Sequence, residues 1–79
     1  MIHFVASTPE EMKESLLTAV RGRIELHASQ SEAARQWGVP QSTINEIVNG
    51  KDRCSIDYLL DLLMIDGQTI RVEVKDTTL

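Results

Sequence analysis

The sequence predicts a mainly α fold of four to five helices, closed by a C-terminal β-strand and preceded by a weaker N-terminal one. Three observations carry that reading. Apolar residues recur at intervals of three and four through most of the chain, and capping residues punctuate those runs. After Gly67 the period drops to two, the spacing of a half-buried strand. Because all this falls within 79 residues with no linker, repeat or low-complexity tract, one domain spanning 1–79 is expected.

The opening segment alternates Ile2, Phe4 and Ala6 against His3 and Val5, a faint strand pattern. Thr8-Pro9-Glu10-Glu11 then starts a helix: threonine caps, proline suits the first helical position, and Glu11 completes a capping box. Met12, Leu16, Val20 and Ile24, flanked by Leu17 and Ala19, draw one apolar stripe along that helix to about Leu26. Ser29-Gln30-Ser31-Glu32 is a second capping box, opening a short helix that stops at Gly38. Pro40 stands at the start of a third helix, which takes its apolar face from Ile44, Ile47 and Val48 and ends at Asn49-Gly50. Ser55 caps a fourth, carrying Ile56, Leu59, Leu60, Leu62 and Leu63 and closing near Asp66-Gly67. A strand over 68–75 follows, with Ile70, Val72 and Val74 alternating against Arg71, Glu73 and Lys75.

Composition removes several function classes. The chain is 42% hydrophobic and 25% charged, as ordinary globular domains are, and it lacks the long apolar run that a spanning helix needs. No basic start followed by an apolar stretch marks a secretory signal. Cys54 has no second cysteine to pair with, so a cytoplasmic chain without disulfide or zinc is expected. His3 and His27 lack ligand-type neighbours, and no Ser/His/Asp or paired-carboxylate arrangement stands out, so no enzyme, metal or cofactor is expected. Cys54 reads as a small half-buried residue and Trp37 as core.

The informative stretch is QSEAARQWGVPQSTINEIVNG, residues 30–50. Two helices that cross steeply over a short turn need a small residue at their approach, supplied by Ala34. The turn needs a residue free to take positive φ, which is Gly38. The second helix needs apolar pins, and Val39, Ile44 and Ile47 provide them. Counted from Gln30, these fall at the fifth, ninth, tenth, fifteenth and eighteenth positions, the complete helix-turn-helix pattern.

On these residues the chain resembles the lambda-repressor/Cro/Xre family over about residues 10 to 65. The Gln opening the second helix, the Asn-Gly closing the third and the continuation Asp57-Tyr58-Leu59-Leu60 all carry the likeness. VNGKDRCSIDYLLDLL, followed by a glycine and QTIRVEV, is similar to the small Xre branch with a C-terminal strand. That branch contains antitoxins of host-inhibition-of-growth modules and small phage autorepressors. Pro40 departs from the pattern, since family members usually carry a capping Ser or Thr there, so a phosphate contact from that hydroxyl is in doubt.

In this motif the third helix lies in the major groove with its first residues against base edges. With Ile44, Ile47 and Val48 turned inward, Gln41, Ser42, Asn45 and Glu46 are left for double-stranded DNA. Gln and Asn can bond adenine N6 and N7 together, Ser is permissive, and Glu can accept from cytosine N4. The resemblance implies phosphate contacts from Gln30, Thr43, Asn49, Lys51 and Arg53, with Arg35 weaker, and a second role for Gln30 in bracing Gln41. Arg35, Lys51 and Arg53 only balance Glu32, Glu46 and Asp52, and the whole chain carries −4, so weak non-specific affinity is expected.

A lone C-terminal strand cannot satisfy its own backbone. Folding back onto its own domain is one remedy. The favoured expectation is pairing with a second copy through Ile70, Val72 and Val74, with Ile2–Ala6 adding an outer strand. The function expected is a sequence-specific repressor of its own operon, a homodimer on an inverted repeat. The alternative is an antitoxin whose main task is to cover a toxin protein, with the acidic Glu10, Glu11 and Glu14 facing a basic partner.

Overall fold

The computed structural model describes residues 2–50 and 54–75. In chain order the elements are β1 (Ile2–Ala6), α1 (Pro9–Glu25), α2 (Gln30–Trp37), α3 (Gln41–Val48), α4 (Ile56–Ile65) and β2 (Ile70–Val74). Four helices and two strands among the described residues match the predicted class.

The helix starts follow from local chemistry. Thr8 Oγ1 accepts from the Glu11 N–H at 3.1 Å, Ser29 Oγ from Glu32 and Ser55 Oγ from Tyr58, so three helices open on a side-chain cap. The reciprocal half of each capping box is redirected. Glu11 reaches back to the N–H of Ser7 rather than of Thr8, and Glu32 turns to Arg35 and Gln36. Gly38 takes φ 69°, ψ 32°; its N–H bonds the Arg35 carbonyl and the Val39 N–H the Ala34 carbonyl, the doubly bonded Schellman stop.

α1 is the spine. It packs against α4, α3, α2 and β1, and it supplies Leu16, Leu17, Val20 and Ile24 to a core shared with Ala33, Ala34, Trp37, Ile44, Ile47, Leu59, Leu62 and Leu63. Leu16, Val20, Ile44, Ile47, Leu59 and Leu63 are fully buried. Each is a position where truncation to Ala costs about 2–5 kcal/mol. Cys54 is buried rather than half-buried, and Trp37 is core as expected.

β1 and β2 form a two-stranded parallel sheet in the register Ile2↔Ile70 to Ala6↔Val74. This corrects the premise of a lone C-terminal strand. The four helices act as the long crossover that parallel pairing requires, bringing the first and last strands side by side. Ile2, Phe4 and Ile70 rest on the core, and Val72 is half-buried, so the apolar face is largely used within the chain. Val74 alone of that face is strongly exposed, at 74%. The strand itself is shorter than 68–75, because Gln68 is spent on the α4 stop, where its N–H bonds the Leu63 carbonyl.

Candidate nucleic-acid interface

α2 and α3 cross over the turn Gly38-Val39-Pro40. Their contact is made by buried Ala33, Ala34, Trp37, Ile44 and Ile47. Burying Ile44 and Ile47 fixes the rotation of α3 about its axis, because residues three apart share a face. The opposite face must then carry Gln41, Ser42, Asn45 and Glu46. These four line one shallow, open depression on the surface, so the structure gathers the residues singled out as base-reading.

Two of them are held. Ser31 Oγ donates to Gln41 Oε1 at 3.0 Å, and Asn49 Nδ2 donates to Asn45 Oδ1 at 2.9 Å. The brace on Gln41 therefore comes from Ser31, one residue beyond the Gln30 that the resemblance implied. Each amide keeps its –NH2 group and one lone pair for a ligand. Pro40 contributes no cap, so the first N–H groups of α3 stay open at the positive end of the helix. An anion placed there gains from both features.

The remaining phosphate candidates differ in standing. Gln30 and Thr43 are half-buried beside the α2 and α3 starts, and Asn49 is exposed as the C-cap of α3. Arg35 is committed locally: its guanidinium meets both oxygens of Glu32 at 2.6 Å. Hydrogen bonds from Gln36 and from Arg35 hold the Glu32 carboxyl below its ordinary range. That pair removes a cation from the face. Lys51 and Arg53 lie outside the described residues.

Two positioning features were not legible beforehand. Arg21, on α1, donates from Nε to the Ile47 carbonyl at 3.1 Å. It thereby adds a second hydrogen bond to a carbonyl that already accepts from the Gly50 N–H, and places a cation at the negative end of α3. Asp66, at the α4 C-cap with its side chain only 9% exposed, accepts from Arg23 Nε at 2.5 Å and from Trp37 Nε1 at 3.2 Å. His27 Nε2 stands 3.6 Å away, with its ring edge-on to Trp37. The carboxylate thus ties α1, α2 and α4 at one end of the molecule. In sequence, both residues read as surface charges at helix positions.

A family model described as a helix-turn-helix domain matches residues 7–75, which covers all four helices and β2. The chain belongs to the helix-turn-helix family. No curated protein and no solved structure matches it. In a helix-turn-helix domain the second helix of the motif is the one presented to the DNA major groove. Here that helix is α3, and the depression of Gln41, Ser42, Asn45 and Glu46 is on its outward side. No helix among the described residues is long and apolar enough to cross a membrane.

Proposed function

We propose that this helix-turn-helix protein is a sequence-specific transcriptional repressor of the Xre type, acting as a homodimer on an inverted repeat in its own operon. The observation that carries the reading is the braced, outward polar row on α3. Two amides held against rotation and open to solvent, those of Gln41 and Asn45, suit base edges better than they suit a merely solvated surface. Asn45 and Gln41 take adenine, Glu46 takes a cytosine amino group, and Ser42 adapts. Gln30, Thr43, Asn49, Lys51 and Arg53 set the register against phosphates. With Arg35 neutralised by Glu32, the open first turn of α3 carries more of the anion attraction than the overall charge suggests. No catalytic role is proposed.

Selection of bound duplexes from a random pool tests this. The expected product is an inverted repeat with half-site centres about one helical turn apart, ~34–36 Å. A pool that enriches no sequence, or an unrepeated single site, would count against the repressor reading.

A further inference from the structure

The parallel pairing determines which backbone groups of β2 are still unused. The Ile2 N–H bonds the Thr69 carbonyl, and the Lys75 N–H bonds the Ala6 carbonyl. In a strand the N–H and C=O of one residue point to the same side, and the next residue points to the other. Thr69, Arg71, Glu73 and Lys75 therefore address β1. Ile70, Val72 and Val74 present their backbone groups along the outer edge, where the sheet has no further strand among the described residues. An open edge of this kind is a template for another strand.

At Val74 the edge meets an apolar cavity lined by Ala6, Pro9, Met12 and Ile56. α4 starts beside α1, since Ile56 shares a cavity of about 350 Å³ with Pro9 and Met12, and it ends beside α1 at the Arg23–Asp66 pair. β2 returns antiparallel to α4, with Val74 back at the same cavity as Ile56. Ile56, Leu60 and Met64, spaced four apart, draw a stripe along α4 that grows from half-buried to 66% exposed at Met64. Val74 is exposed at the other end of the edge.

We infer that a second copy of this chain pairs antiparallel along the outer edge of β2, on a two-fold axis through Val72, giving the strand order β1-β2-β2-β1. The inference rests on the homodimeric part of the proposed function and adds its register. Through Val72, the pairs are Val72 with Val72 and Ile70 with Val74 twice. Each pair exchanges both backbone bonds, three pairs of two. On the opposite face Arg71 then stands across from Glu73 of the second copy, twice. The two neighbouring symmetric registers are worse on both counts. An axis through Arg71 leaves Val74 unpaired and sets Arg71 against Arg71, and an axis through Glu73 leaves Ile70 unpaired and sets Glu73 against Glu73. In the Val72 register Ile70 of the second copy points down beside Val74, over the cavity lined by Ala6, Pro9, Met12 and Ile56.

The test uses the full chain with Cys54→Ala, whose folding is checked by circular dichroism. Arg71→Cys and Glu73→Cys versions are oxidised separately and as an equal mixture. A disulfide between chains is expected in the mixture alone, because residue 71 faces residue 73 and never itself. Independently, Arg71→Glu or Glu73→Arg alone should raise the dimer dissociation constant about tenfold, and the double exchange should return it to within about threefold of the parent. A dimer in which either cysteine variant links to itself, or the mixture fails to link, overturns the register while leaving the homodimer standing. A parent that sediments as a monomer at micromolar concentration overturns both.

Discussion

Asn45 and Gln41 are already engaged within the chain, each amide oxygen holding one hydrogen bond from a neighbour. That engagement lowers the rotamer freedom lost on binding, which is the physical advantage of a preorganised contact. Ser31→Ala leaves the outward face of α3 intact yet releases Gln41. It should weaken cognate binding by about 0.5–1.5 kcal/mol with an unchanged melting temperature, measurable by fluorescence anisotropy and thermal denaturation in parallel. Glu32 behaves differently, as its bonds to Gln36 and Arg35 are local to α2. Its carboxyl pKa is depressed on folding, so what the pair contributes is present above the unfolded value and is lost as pH falls through the folded one. A carbon-detected titration should therefore place the Glu32 midpoint below 4.5, and a midpoint at or above that would show the contact to Arg35 to be absent in solution.

At the scale of elements, each helix stands where periodicity and capping put it, because those signals are local. Thr8, Ser29 and Ser55 cap as read, and Gly38 stops α2 with the left-handed geometry its place in the motif demands. The outward row on α3 was legible for the same reason: burying Ile44 and Ile47 leaves it nowhere else to point. What stayed hidden depends on separation in sequence. The pairing of Ile2–Ala6 with Ile70–Val74 joins the two ends of the chain, and no local pattern announces it. Arg21 and Asp66 were illegible in the same way, since their partners Ile47, Trp37 and Arg23 lie on other helices. Arg21→Ala removes one bond to the Ile47 carbonyl and leaves it the bond from the Gly50 N–H, so it should cost about 0.5–1.5 kcal/mol of stability in urea denaturation. A loss near zero would mean water replaces the guanidinium without penalty. Asp66→Ala strips a partner from both Trp37 and Arg23, so a larger loss of about 2–4 kcal/mol is expected, together with a shift in Trp37 fluorescence.

For the whole molecule, the division of labour follows from α1. One helix holds both the motif, at α2 and α3, and the sheet, through β1, so the outward face of α3 and the outer edge of β2 belong to one packed core. In the proposed homodimer, a connection of that sort lets pairing through β2 set the distance between two α3 helices. The acidic balance of −4 is compatible with the proposed function, in which specificity resides in the Gln41 and Asn45 amides while bulk charge governs non-specific affinity. The central claim is that α3 reads base edges through Gln41 and Asn45. The most direct measurement compares the parent with Gln41→Ala and Asn45→Ala on the selected duplex and on a scrambled one, at a single salt concentration. Each substitution should weaken the selected duplex by about 1–3 kcal/mol and leave the scrambled one unchanged. If both variants bind the two duplexes as the parent does, α3 is not the helix that reads DNA.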